Sequence, residues 1–285
     1  MTGAKRCCML AVLGPLAAVI GGPIRVEAAD VAKIDAIPGT IVRWSVPGTK
    51  RCGMGSRSWD ALQETCYYPI DVLQEPAVLS VSRKGAKGTA HAQIVVLAMA
   101  RESVDITLPD IPQAHPSPTD LKRNARDQAV VAKLWTRREG PAQFTLPLAP
   151  PASPLPEGTG FGSMWIFDNK PESADLHSGT DYPLTGGSRV MAPADGTVAL
   201  AENLFFAGNA VFIDHGNGLI SMCFHLDELK VQTGQNVRKG DALGLVGSTG
   251  RATGPHLHLG VRWHGARIDP QLLLDDPASI PAIGP

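Results

Sequence analysis

Short apolar runs separated by turn-forming residues mark the chain from residue 30 to about residue 110. Apolar and polar positions alternate in them with the period of two that is typical of a strand with one buried face. Four such runs span residues 39–46, 77–81, 92–97 and 104–108. The pattern predicts a small β-sandwich-like domain over residues 30–116.

The apolar period lengthens to that of a helix after residue 117. Ser117 can cap this helix, Pro118 suits its first position and Asp120 favours its positive end. The apolar positions at helical spacing between about residues 118 and 139 are Leu121, Ala125, Val130, Val131, Leu134 and Trp135. We expect this stripe to pack on a neighbouring domain. The proline-rich residues 140–158 predict a semi-rigid linker, so helix and linker together occupy residues 117–158.

From residue 159 onward, strand-like stretches alternate with glycine-centred turns. Such stretches lie at residues 189–200, 209–214, 219–226 and 242–247. They predict an antiparallel β domain over residues 159–276, followed by a tail at residues 277–285. The predicted fold class is therefore mostly β, with a linker helix between two β domains.

The first 29 residues have the pattern of an export signal. Lys5 and Arg6 precede an almost wholly apolar run over residues 7–20, and small residues gather near Ala28. The run is short for a bilayer span, so a cleaved signal peptide is favoured over an uncleaved anchor. We expect an exported protein, periplasmic or extracellular, with no stable membrane span after signal cleavage.

Composition and cysteine usage agree with a folded, exported protein. Apolar residues make up 44% of the chain and the net charge is −1 without long runs of one sign, so no nucleic-acid partner is predicted. In an oxidising compartment Cys52 and Cys66 could form a disulfide, with two free thiols as the alternative. Cys223 would then remain unpaired. On a strand it would share a face with His225, and we expect it to serve as a small buried hydrophobic residue.

Histidines and one aspartate occur in separate segments of the C-terminal domain. In a strand, His256 and His258 share one face. His177 and Asp181 are four residues apart and would share one face of an extended segment, and His225 ends an apolar strand. Two histidines, one carboxylate and a water form the open coordination of a catalytic zinc. The two remaining histidines could serve acid–base chemistry or stabilise an oxyanion, so the residues predict one Zn²⁺ per chain.

The order and spacing of these motifs resemble the lysostaphin-type (LytM-like) zinc metallopeptidases of bacterial cell walls. The matching segments are His177-Ser178-Gly179-Thr180-Asp181, 192–198, 213–218, Phe224-His225-Leu226, 247–250 and 253–258. By this resemblance His177, Asp181 and His258 are zinc ligands, and His225 and His256 are the catalytic pair, one as general base and the other as oxyanion stabiliser. The resemblance also implies an antiparallel fold of two-layer or barrel-like form, and hydrolysis of peptide cross-links in peptidoglycan.

Two departures and two alternatives accompany this interpretation. The segment after Phe161 lacks the arginines that often follow in the family, and Cys223 stands where the family often has tyrosine.

The main alternative is a non-catalytic LytM-like domain that binds and regulates another cell-wall hydrolase, with an envelope protein as partner. Such domains usually lack some of the five site residues, all of which are present here. A lipoyl-type carrier is disfavoured because residues 202–204 offer no lysine for a prosthetic group.

Overall fold

Strands are the main regular structure of the chain, which confirms the mostly β fold class. The computed structural model describes residues 31–136 and 140–284. The signal peptide predicted for residues 1–29 lies outside these ranges. None of the helices within them is long and apolar enough to cross a membrane.

The N-terminal part folds as two β-sheets around one core. The strands of residues 31–106 are β1 (Ala32–Ala36), β2 (Ile41–Ser45), β3 (Thr49–Met54), β4 (Arg57–Asp60), β5 (Thr65–Pro69), β6 (Ala77–Gly85), β7 (Gly88–Val96) and β8 (Ser103–Ile106). One sheet has the order β1-β7-β6-β3-β4, and β2 pairs with β5 in the other. Alternate side chains from both sheets, including Trp44, Tyr68 and Ile94, meet between them. The domain boundary at residue 116 stays a prediction.

A disulfide joins the two N-terminal sheets. Cys52 on β3 is bonded to Cys66 on β5, with their Cα atoms 5.4 Å apart. The predicted pairing is confirmed, and the alternative of two free thiols is wrong. Closing a loop of about 15 residues stabilises the fold by roughly 3 kcal/mol in the chain-entropy model.

One long helix, α1 (Pro118–Ala132), follows these strands and continues as a 3₁₀ turn over Lys133–Thr136. Ser117 caps it in a capping box with Asp120, as the sequence predicts. The predicted apolar stripe is only half right. Leu134 is buried in a core on the C-terminal sheet, but Leu121 is 51% exposed. The helix contacts the sheet from Arg123 onward: Arg123 donates to the Asn203 carbonyl at 3.0 Å, and the buried carboxylate of Asp127 accepts a hydrogen bond from the N–H of Phe205 at 2.8 Å.

The proline-rich residues 140–158 lie against the C-terminal part of the chain. Phe144 and Leu148 are buried, and the N–H of Leu148 donates to the carbonyl of Leu273 at 2.7 Å. The segment predicted as a semi-rigid linker is thus held by packing and by backbone hydrogen bonds, and not by proline stiffness alone.

The C-terminal part is built on a long antiparallel sheet. Its elements are β9 (Met164–Phe167), β10 (Asp175–Leu176), β11 (Gly179–Tyr182), β12 (Arg189–Met191), β13 (Gly196–Leu204), β14 (Gly208–Asp214), β15 (Leu219–Leu229), β16 (Asn236–Val237), β17 (Ala242–Val246), β18 (Leu257–Trp263), β19 (Ala266–Arg267) and the short helix α2 (Gln271–Leu274). The main path runs β11-β18-β15-β14-β13-β16. It is open at β11 and β16, so the described strands do not close a barrel. A separate small sheet has the order β10-β9-β8, in which β8 is parallel to β9.

The main sheet has one face in the core and one face toward the candidate site. The second half of β15 leaves β18 and pairs with β17, which also pairs with β12. This second layer covers the first face, where Val190 and Leu259 belong to one core. Met222 lies on the other face, in the core under α1. The predicted site residues lie along this second face.

Candidate metal centre

The antiparallel pairing of β11 with β18 brings three predicted site residues together. Asp181 lies directly opposite His258 in the register of these strands, and His177 lies between β10 and β11. Asp181 Oδ1 is 2.8 Å from His258 Nδ1 and 3.2 Å from His177 Nε2. The two ring nitrogens are 3.0 Å apart. Three potential ligand atoms therefore surround one point.

This set of atoms fits a divalent cation. His177 donates from Nδ1 to the carbonyl of Gly160 at 2.8 Å, which leaves the lone pair of its neutral ring on Nε2. A carboxylate oxygen and two imidazole nitrogens at such short separations repel one another unless positive charge lies between them. A single proton shared among these three atoms can form a hydrogen bond in only one of the three contacts between them. A tetrahedral zinc ion, with bonds of about 2.0–2.2 Å, can satisfy all three ligands.

The electrostatics of the centre keep the carboxylate charged and His258 neutral. Burial raises the pKa of Asp181, but the hydrogen bonds from His177 and His258, and the positive charge that these rings carry when protonated, outweigh it and hold this pKa well below its usual value. Burial also lowers the pKa of His258. Metal ligation requires an ionised carboxylate and neutral imidazoles, so both shifts favour it.

Neighbouring side chains fix the ligand rings. Trp165 on β9 stacks on His177 with centroids 3.8 Å apart, and Phe224 stacks on His258 at 5.1 Å. A Cβ atom at Gly179 would lie 2.4 Å from His258 Nε2, so only glycine leaves room for this ring. Sequence reasoning missed Trp165, because its position depends on the pairing of β9 with β10 and no local pattern reveals that pairing.

A β-bulge positions His225. Between Leu226 and Cys223, β15 has one more residue than the facing segment of β14. His225 has a φ of 62°, in the left-handed region that non-glycine residues rarely adopt. Such a conformation costs about 1–3 kcal/mol and is typical of functional sites. The bulge turns the His225 ring toward the ligands, with its centroid 6.0 Å from that of His258.

Cys223 does not share a face with His225, so that prediction is wrong. Residues two apart share a face only on an unbroken strand, and the left-handed backbone at His225 interrupts the alternation. Cys223 is instead buried in a core with Val211 and Leu259. Burial raises the pKa of its thiol to about 12. The residue is the small buried hydrophobe that the sequence predicts, and it lacks the thiolate character that reactivity requires.

His225 and His256 flank the three ligand atoms. Their ring centroids are 4.8 Å apart, and His256 Nε2 is 3.6 Å from Asp181 Oδ2. Each ring donates from Nδ1 to a backbone carbonyl, His225 to Thr249 at 2.8 Å and His256 to Gly254 at 2.9 Å. These bonds orient both rings and leave Nε2 available. A neutral Nε2 can accept a proton, and a protonated Nε2 can donate to an oxyanion.

Arg251 contacts several residues at the opening of the site. Its guanidinium lies over the rings of Phe167, at 4.1 Å, and Phe206, at 4.6 Å. It also pairs with Asp175 on β10 at 2.5 Å. Small cavities of about 220 and 200 Å³ lie on its two sides, the first against His177 and the second against residues around His256.

The two other histidines of the domain, His215 and His264, lie in the core. The sequence predicts them to be structural or exposed and not ligands. His215 is fully buried; it donates from Nδ1 to the carbonyl of Asp195 at 2.7 Å and contacts Ser221 Oγ through Nε2 at 2.8 Å. His264 stacks on Trp59 with centroids 4.3 Å apart. Both have a structural role.

The buried His215 predicts a loss of stability in mild acid. Burial lowers the pKa of His215 from 6.5 to about 4, so the unfolded chain binds a proton there at a higher pH than the folded chain does. The stabilisation is complete above about pH 6.5 and is lost as the pH falls to about 4, by roughly 3 kcal/mol. Urea unfolding of the wild type and His215→Gln at pH 7, 6 and 5 measures this. The free energy of unfolding should fall less with decreasing pH in His215→Gln than in the wild type, and the exposed control His91→Gln should match the wild type. An equal pH dependence in His215→Gln and the wild type would contradict the prediction.

Comparison with known proteins agrees with this geometry. Residues 175–270 match the model of Peptidase family M23. Over 82 residues the chain is 45% identical to the peptidoglycan DD-endopeptidase ShyA of Vibrio cholerae, covering 29% of this chain and 19% of that protein. Over 95 residues it is 44% identical to the DD-carboxypeptidase/endopeptidase Mpg of Neisseria meningitidis, covering 33% and 22%. The chain thus spans about a fifth of the length of these curated relatives.

A solved structure covers more of the chain. The crystal structure of a Pseudomonas aeruginosa protein assigned to peptidase M23 superposes with a TM-score of 0.63 and 29% identity, covering 84% of this chain and 94% of that one. The likeness therefore extends beyond the matched segment. The resemblance to lysostaphin-type metallopeptidases, stated above from the motifs, is confirmed.

Proposed function

We propose that this chain, whose residues 175–270 match Peptidase family M23, is a zinc endopeptidase that hydrolyses peptide cross-links of peptidoglycan outside the cytoplasm. The observation that carries the proposal is the meeting of His177, Asp181 and His258 around one point, with two further histidines beside them. Two nitrogen ligands, one carboxylate and no thiolate are typical of a catalytic zinc with an open fourth position. The peptidoglycan peptidase names of the relatives support the substrate.

Each of the five side chains has a definite task in this reaction. His177, Asp181 and His258 hold the ion, which when bound lowers the pKa of a water molecule and polarises the scissile carbonyl. His256, beside the Asp181 carboxylate, accepts the proton of the attacking water through Nε2. Burial lowers the pKa of His225 to about 3, so its Nε2 is unprotonated at neutral pH and would donate to the oxyanion that develops on the carbonyl only once it takes up a proton during the reaction. The backbone carbonyls that hold both Nδ1 atoms keep the rings in place through the cycle.

Hydrolysis of purified peptidoglycan tests the proposal. The full chain, with its zinc content measured by elemental analysis, is incubated with sacculi cross-linked directly between D-alanine and a diamino acid, and with glycine-bridged sacculi. We expect one zinc per chain and conversion of cross-linked dimers into monomers in the first substrate, detected by mass spectrometry. Unchanged dimers in both substrates would contradict the proposal. Binding to sacculi without hydrolysis would favour the non-catalytic regulator.

A further inference from the structure

A groove leads away from the candidate metal centre along the same face of the sheet. The cavity of about 220 Å³ against His177 and His258 adjoins a second cavity of about 360 Å³ beneath α1. The two share part of their lining, including Ser178 and Phe224. The far cavity is lined by Trp135 and Arg262, among others. A substrate peptide at the metal centre could therefore continue along this groove.

Strand β18 determines what faces the groove. Residues two apart on a strand share a face, so His258, Gly260 and Arg262 point the same way. The four-residue step from His258 to Arg262 spans about 13 Å, which corresponds to about four residues of an extended peptide. Met222 forms the floor between them, because its Cε lies 3.0 Å from the position that a Cβ at Gly260 would take.

No carboxylate among the described residues forms a direct ion pair with the guanidinium of Arg262, and Asp71, whose charge acts on it, is already paired with a second arginine. The register neighbour of Arg262 on β19, Arg267, pairs with Asp71 through two contacts of 2.6 and 3.0 Å. Within residues 31–136 and 140–284, the side chain of Arg262 forms no hydrogen bond or ion pair, and its guanidinium lies over the ring of Trp135 at 4.1 Å. Burial lowers the pKa of Arg262 to about 10, so it stays charged at neutral pH.

The two carboxylates that line the same cavity already have partners. Asp175 pairs with Arg251, and Asp127 accepts the hydrogen bond from Phe205. A half-buried cation without a direct ion-pair partner is unfavourable. A guanidinium fixed by an aromatic ring presents a rigid pair of N–H donors that matches a carboxylate.

We propose that Arg262, held by Trp135, forms a subsite for a free carboxylate of the substrate peptide, several residues from the scissile bond. This inference rests on the proposed function, because it takes the peptide to lie across the metal centre. The subsite distinguishes a stem peptide with free carboxylates from one whose carboxylates are amidated. The apolar floor at Met222 and Phe224 accommodates the aliphatic part of the same peptide.

Binding measured separately from hydrolysis tests this subsite. The probes are a cross-linked muropeptide dimer with free stem carboxylates and its amidated counterpart, titrated calorimetrically into chelator-treated full chain. We expect the wild type to bind the free-carboxylate probe about 10- to 100-fold more tightly, the range of one charge-assisted contact. Arg262→Gln should lose this preference and Arg262→Lys should retain part of it. Arg238→Gln, which removes an exposed arginine just after β16, should behave as the wild type.

The outcomes separate this inference from the proposed function. A wild type without preference, or an Arg262→Gln variant that keeps it, would overturn the subsite. Hydrolysis of both probes at equal kcat/KM by the zinc-loaded wild type would also overturn the subsite and leave the endopeptidase intact. Preferential binding abolished by Arg262→Gln, without hydrolysis by the zinc-loaded wild type, would support the subsite and overturn the endopeptidase. Circular dichroism of Arg262→Gln shows whether the variant is folded.

Discussion

The Asp181→Asn variant is expected to lose about 10³-fold or more in kcat/KM on cross-linked muropeptides. Asp181 is the proposed ligand that faces both histidines, at 2.8 Å from His258 and 3.2 Å from His177. Asparagine keeps the size of the side chain but removes its charge, so the affinity for the ion falls. A catalytic metal supplies several kcal/mol of transition-state stabilisation, and each 1.36 kcal/mol is a factor of ten in rate.

Metal analysis and activity together check this result. Zinc per chain, measured after dialysis, should be about one in the wild type and near zero in Asp181→Asn. A chelator should abolish wild-type activity, and added zinc should restore it in the wild type only. Glu202→Gln, which removes an exposed carboxylate on β13, is the matched control and should keep full activity. An Asp181→Asn variant that retains zinc and activity would remove this residue from the metal centre.

The sequence proposes residues for the candidate metal centre, but it does not predict how they meet. The period of two on a strand places His256 and His258 on one face without any knowledge of the fold. The register that sets Asp181 opposite His258 joins segments more than seventy residues apart in the chain. No local pattern determines such a pairing. The resemblance identifies the residues, and the structure supplies their distances.

The wrong predictions come from interactions that local patterns do not contain. The shared face of Cys223 and His225 fails because of a bulge, which one residue in a left-handed conformation produces in an otherwise regular strand. The exposure of Leu121 follows from where α1 touches the sheet, and helical spacing alone does not determine that place. Trp165 was missed for the same reason, since its stacking on His177 depends on a long-range strand pairing.

Substitution of the two non-ligand histidines should separate their tasks. His225→Ala and His256→Ala are each expected to lower kcat by about 10²–10⁴-fold while zinc content stays near one per chain, because neither residue is a ligand. Glutamine can donate a hydrogen bond but cannot take up a proton at neutral pH. His225→Gln should therefore recover part of the lost rate, since an oxyanion needs only a donor. His256→Gln should recover none, since the attacking water needs a base.

The geometry also predicts that the two losses are not additive. The rings are 4.8 Å apart and act on the same transition state, His256 on the water and His225 on the carbonyl oxygen, so the double alanine variant should lose little more than the more severe single variant. Steady-state kinetics on a defined muropeptide dimer, with zinc content measured for each protein, provides the data. If His256→Gln recovers part of the lost rate and His225→Gln recovers none, then His225 is the base and His256 is the oxyanion donor. Near wild-type kcat in either alanine variant would exclude that histidine from the reaction, because within residues 31–136 and 140–284 the other imidazoles beside the centre belong to the proposed ligands.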